Sequence, residues 1–419
     1  MFELKLLPQG ARFIYSSMKE RFICCMGVFV GAGSRFEKKK IKGISHFFEH
    51  MVFKGTEKYS CKKIKTSIEG VGGYINAFTG KELTCFYVKI PSKYQIKALD
   101  VLLEMVFKAV FREEDIEKER KVIFEEIKMH KDLPHSRCLS LLEENMFRGL
   151  SLEEDVIGTE ESVSSIKRED FIDFRRRFYL PSNMVISIAG NLEPEKIEKF
   201  LNKKLPSLGK KRSYNLKEKS LDVRRFIFEH KDISQVHVSI GAFSIHYTHP
   251  SKFIQNILHV ILGANMSSRL FDKVREKKGY VYEISTFLRR YKDRGIFGVY
   301  LATSKNKLKS ALKIVIEELL TLKNTLKDME IKRAKEYLVG QMLMGFDSPS
   351  ERMLYMGQEL FYYKFPFSLE QLKEKIYAVS KKQIEEFTSE IFTTENLYFS
   401  VVGDIKEKKL EKIIHSVLR

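Results

Sequence analysis

Apolar positions along the chain recur in two periods, and the switches between them outline the fold. Strand-like runs cover residues 2–15, 22–30 and 83–90. Helical spacing takes over at residues 95–110, 114–130 and 168–179, and a further strand-like run follows at 184–189. Strands, then helices, then a strand predict an α+β sandwich, with helices packed on a largely antiparallel sheet. The longest apolar stretch, residues 22–32, is too short to span a bilayer, and residues 22–30 within it read as a buried strand. Although Lys19 and Arg21 precede it as in a signal peptide, the strand-like segment ahead of them makes the charged region too long for one.

The pattern occurs twice. A shift of about 213 residues lays Asn183-Met184-Val185-Ile186-Ser187-Ile188-Ala189-Gly190-Asn191 on Asn396-Leu397-Tyr398-Phe399-Ser400-Val401-Val402-Gly403-Asp404, Ala98-Leu99 on Ala311-Leu312, and Phe174 on Phe387. A period this long is that of a duplicated domain, not of a solenoid. The expected boundaries are a first domain at residues 1–206, a polar, basic linker at 207–219 and a second copy at 220–419.

The length, 419 residues, agrees with two domains. Five cysteines, odd in number and without a Cys-x-x-Cys pair, point to a reducing, cytoplasmic setting and away from a thiolate zinc site. The net charge of +19 raises nucleic acid as a partner, but the lysines are spread along the chain instead of forming a basic stripe with interleaved aromatics. Neither a nucleic-acid nor a membrane partner is expected.

Chemistry concentrates in His46-Phe47-Phe48-Glu49-His50. On a helix His46 and His50 share one face and can hold one metal ion, with Glu49 beside them to take a proton from water. With ten histidines in the chain, two surface histidines on an amphipathic helix would give the same spacing. The reading therefore needs a third ligand. On the acidic helix, Ile116, Ile123 and Ile127 form an apolar stripe; Glu119 and Glu126 lie on its flank, and Glu125 points away among Lys118, Lys121 and Lys128. A metal would satisfy such flanking carboxylates, and so would an ion pair with an Arg or Lys of a neighbouring helix, which is the commoner arrangement. The second copy departs from the pattern, because His46 falls on His259 but Glu49 on Leu262 and His50 on Gly263.

His46-x-x-Glu49-His50, followed by Glu119 and Glu126 in Glu-Arg-Lys-Val-Ile-Phe-Glu-Glu-Ile, resembles the pitrilysin/insulinase (inverzincin) family of zinc metallopeptidases, in the short two-domain form similar to mitochondrial processing peptidase. The resemblance implies one Zn²⁺ per chain on His46, His50 and Glu126, Glu49 as the base that activates water, and Glu119 as a carboxylate supporting the site. It makes Gly72-Gly73-Tyr74-Ile75-Asn76-Ala77-Phe78-Thr79 an edge strand to which substrate adds, with Asn76 and Ala77 against the peptide. It assigns Arg275 and Tyr282 of the second domain to gripping the substrate backbone and stabilising the oxyanion. Glu82 fits the family pattern without a clear role. The implied protein is a zinc endopeptidase with two homologous domains facing each other like a clamshell, acting on short peptides or unfolded segments inside the chamber. A homodimer or a pairing with a homologous subunit goes with it. The rival within the fold is a catalytically silent binding subunit.

Overall fold

The computed structural model describes residues 2–209 and 222–418. The chain forms two compact units, each built on one sheet. The first contains Met1–Met129, Glu154–Glu218 and Met344–Ser368; the second contains His130–Glu153, Lys219–Leu343 and Leu369–Arg419. Of the expected linker, residues 210–219 lie outside the described residues.

The first sheet comprises β1 (Glu3–Leu6), β2 (Arg12–Ser17), β3 (Ile23–Val30), β4 (Tyr74–Thr79), β5 (Thr84–Pro91) and β6 (Met184–Gly190), in the order β1-β2-β6-β3-β5-β4. All neighbours are antiparallel except β2 and β6. The second sheet comprises β7 (Phe226–His230), β8 (Gln235–Ser244), β9 (Val281–Arg290), β10 (Gly295–Ser304) and β11 (Tyr398–Gly403), in the order β7-β11-β8-β10-β9. It too has one parallel pair, β7 with β11. Without β1, the first order matches the second strand for strand, which is the duplication written as topology. The segment expected as one strand at residues 2–15 is two, β1 and β2, turning at Gly10 (φ 89°).

Each sheet is covered on both faces, as a layered fold requires. In the first unit one face carries helices Ile44–Val52, Gln95–Lys108, Arg168–Phe178 and Pro194–Lys204, whose apolar sides join the strands in one core. The opposite face is covered by helix Pro349–Tyr362 from the C-terminal half, with Met353, Met356 and Leu360 against Ile14, Cys25, Phe29 and Val185. The second unit takes the corresponding helix, Pro134–Met146, from the N-terminal half: Cys138 packs beside Val402, and Leu142 and Met146 lie on Ile296. The sequence halves and the compact units therefore differ by one exchanged helix each. Glycines allow the close approach. A Cβ on Gly357 would lie 2.1 Å from the Phe29 ring, and one on Gly241 2.5 Å from Met146 Sδ.

Candidate metal centre

Helix Ile44–Val52 carries the motif. Gly43 precedes it at φ 89° without a side-chain cap of its own, and Glu37 takes over that work. Its carboxylate accepts the N–H groups of Gly43 (2.8 Å) and Ser45 (2.7 Å), satisfying donors a helix start leaves open. The two x positions, Phe47 and Phe48, are fully buried. Phe48 stacks within 4.2 Å of the Tyr179 ring and 5.1 Å of Phe111, and Phe47 lies 5.0 Å from Phe171. Anchoring these rings in the core turns His46, Glu49 and His50 away from it.

Helix Glu113–Asp132 supplies the carboxylates. Its apolar stripe, Ile116, Ile123 and Ile127, is buried. Glu126 Oε2 lies 3.7 Å from His46 Nε2 and 3.6 Å from His50 Nε2, and the imidazole centroids are 4.5 Å apart. Among the described residues these three form the one group of donors with metal-binding spacing. Glu119, 6% exposed, accepts from His50 Nδ1 at 2.9 Å and is ion-paired with Lys54. Burial acts to raise the Glu119 pKa, but the bonds from His50 and Lys54 outweigh it and hold the carboxyl below its ordinary range. Since an ionised Glu119 needs a proton on Nδ1, the His50 lone pair is on Nε2, facing Glu126. Burial lowers the His50 pKa, and the Glu119 bond with the Glu126 charge reverses the balance and raises it. Glu125 is exposed and pairs with Lys128 at 2.8 Å, away from the cluster.

The donor set fits zinc. A tetrahedral ion with bonds of about 2.0–2.1 Å spaces its ligand atoms about 3.4 Å apart, close to the separations above. Two imidazoles and one carboxylate make the His₂Glu set that leaves a position open. Among the described residues the carboxylates of Glu49, Glu119 and Glu126 meet one lysine, Lys54, so the cluster favours a cation. Glu49 accepts from Thr79 Oγ1 at 2.5 Å. Burial raises its pKa, against the Thr79 bond and the His50 charge.

Thr79 ends β4, which lies at the edge of the sheet and, among the described residues, pairs with β5 alone. Asn76 and Ala77 lie mid-strand: Asn76 Nδ2 donates to the Tyr74 hydroxyl at 2.5 Å, and its Oδ1 accepts the Ala77 N–H at 2.8 Å. In the second unit Arg275 stacks over Phe271 (4.7 Å) and lies 5.9 Å from the ring of Tyr282, which is 73% exposed. His259, the counterpart of His46, is half-buried and bonded to Thr286 Oγ1 at 2.7 Å, and desolvation together with Arg290 drives its pKa down to about 4.

Thr79, Lys54 and Glu37 touch this centre and were given no role from sequence. Lys54 had little signal, since it follows the end of the helix at Val52 and the helical spacing from His50 does not reach it. Glu37 had none, because its contact depends on the path of the loop.

A family profile described as Insulinase (Peptidase family M16) matches residues 12–160, and one described as Peptidase M16 inactive domain matches residues 165–338. The uncharacterized zinc protease YmxG of Bacillus subtilis is 32% identical over 92% of this chain and 94% of its own length. The chain belongs to peptidase family M16. Solved structures similar to this M16 chain include a protease from Helicobacter pylori, with a TM-score of 0.89 and 18% identity over 96% of this chain and 99% of that one. Another, from Pseudomonas fluorescens and described as a peptidase M16 inactive domain, has a TM-score of 0.87 and 18% identity over 97% and 98%. These two show the fold. The M16 relatives are named zinc proteases, and the match described as inactive covers most of the half that lacks the motif.

Proposed function

We propose that the protein is a zinc-dependent endopeptidase acting on short peptides or unfolded segments, with His46, His50 and Glu126 as metal ligands. The observation that carries this is the convergence of those three donors beside Glu49, whose carboxylate is held by Thr79. Zinc on this set supplies Lewis acidity and makes water acidic near neutral pH. Glu49 is the base: the Thr79 hydroxyl occupies Oε2, leaving Oε1 to take the proton from water and return it to the departing amine. Burial raises the Glu49 carboxyl pKa, in the direction that favours returning the proton after accepting it. Glu119 holds His50 by Nδ1 and keeps its Nε2 available. The open edge of β4, at Asn76 and Ala77, offers main-chain groups to an extended peptide, which admits many sequences. Arg275 and Tyr282 are the donors this reading gives to the peptide backbone and the developing oxyanion.

No described helix is long and apolar enough to cross a membrane. The same reading has the chain pairing with a second copy or a homologous subunit, which light scattering would detect as doubled mass. The decisive experiment measures zinc and peptide cleavage together. Wild type carries about one zinc per chain and cuts unstructured peptides, whereas Glu49→Gln keeps the zinc and loses turnover by at least about a hundredfold. Full cleavage by that variant, or a native protein without zinc, refutes the mechanism.

A further inference from the structure

A buried network joins the exchanged helix to the general base. Tyr362, the last residue of helix Pro349–Tyr362, donates its hydroxyl to Glu82 Oε2 at 2.8 Å. Arg35 Nη1 bonds the other oxygen, Oε1, at 2.7 Å, in an ion pair whose side chains are 4% and 8% exposed. Both oxygens of a buried carboxylate are thus engaged, which offsets part of the cost of its burial. Burial and Glu82 raise the Tyr362 phenol pKa, so it remains a donor across the working pH range.

Glu82 lies in the turn between β4 and β5, and that turn is clamped. Arg35 N–H bonds the Lys81 carbonyl at 2.9 Å, and Gly80 N–H bonds the Leu83 carbonyl at 2.8 Å. Thr84 Oγ1 bonds the Ala32 carbonyl at 3.0 Å. Gly33 packs so closely that a Cβ there would lie 2.4 Å from the Gly80 carbonyl oxygen. Thr79, paired with Thr84 at the mouth of this turn, is the residue that bonds Glu49. The network therefore fixes the turn, the turn fixes Thr79, and Thr79 fixes the Glu49 carboxylate.

We propose that Tyr362 and Glu82 are positioning residues for the general base, so that the C-terminal half of the chain helps to set the aim of Glu49 through the Tyr362 hydroxyl. This rests on the peptidase reading above. It also gives Glu82 the role that sequence alone left open.

The test uses full-length Tyr362→Phe, Glu82→Gln and Thr79→Val, singly and with Tyr362→Phe combined with Thr79→Val. Tyr362→Phe is expected to keep wild-type zinc content and a KM within about twofold, while kcat on an unstructured peptide falls about tenfold, less than the full worth of a hydrogen bond to a charged group because the effect is relayed through the turn. In metal-free protein, hydrogen exchange in the segment 79–84 is expected to quicken about tenfold. The double variant should fall no further than Thr79→Val alone, because both act through one hydroxyl contact. Wild-type kcat in Tyr362→Phe, or independent multiplication of the two losses, overturns the proposal even if exchange quickens. Absence of cleavage and of zinc in the wild type is a different result: it sinks the peptidase reading and this inference with it.

Discussion

Glu119 touches His50 and is no part of the proposed ligand set, so its removal isolates what a supporting carboxylate contributes. In Glu119→Ala, His50 Nδ1–H loses its 2.9 Å partner and Lys54 loses its ion pair. Lys54, with about a third of its side chain exposed (32%), can turn to water, so the lasting loss is the bond to His50. A hydrogen bond to a charged group is worth about 1.5–3 kcal/mol, and carboxylates behind metal-bound histidines carry about 10–100-fold in metal affinity. Taking about 2 kcal/mol gives a zinc Kd weaker by roughly 30-fold. Competition against a chromophoric chelator at fixed pH reads this directly. Glu126→Ala, which deletes a ligand, should lose stoichiometric zinc, and Glu125→Ala, whose carboxylate pairs with Lys128 in solvent, should match wild type. A Glu119→Ala affinity within about twofold of wild type, or zinc lost in Glu125→Ala and kept in Glu126→Ala, would refute the reasoning.

The second half makes its own predictions. His259 has a folded pKa of about 4, below the ordinary 6.5, so the unfolded chain binds the extra proton and stability falls as pH drops from about 6.5 to about 4. Between pH 7 and 5 this amounts to about 2 kcal/mol, and His259→Gln should abolish that part of the acid sensitivity in urea unfolding; equal pH dependence in both proteins would contradict it. Gly357→Ala places a methyl 2.1 Å from the Phe29 ring and should lower stability by about 1–3 kcal/mol, seen as a lower thermal midpoint.

Much of this fold is legible in the sequence because its periods are strong. The strand read at 22–30 is β3 (Ile23–Val30), and the helix read at 114–130 is Glu113–Asp132 with the expected isoleucines inward. The separation of Glu125 from Glu119 and Glu126 follows from helix geometry alone. What stays hidden is long-range. Nothing in the periodicity of residues 134–146 or 349–362 says which sheet they cover, because an apolar face specifies burial and not a partner. Thr79 on Glu49 depends on where a hairpin ends relative to a helix distant in sequence, and Tyr362 on Glu82 spans 280 positions. His259 shows the reverse case: the same residue type at the duplicated position is half-buried and bonded to Thr286, with Leu262 and Gly263 where the first copy has Glu49 and His50.

The exchanged helices bear on how such a chain arose. A half-length protein carrying one sheet and its own helices would leave one sheet face bare, the face that Met353, Met356 and Leu360 now cover. Two copies trading that helix would close both faces, and the trade is reciprocal here, Pro134–Met146 for Pro349–Tyr362. Joining them end to end turns a swapped pair of chains into a single chain and frees the copies to diverge. One copy could then keep the metal motif while the other lost it, and neither half would be expected to fold when expressed without the other.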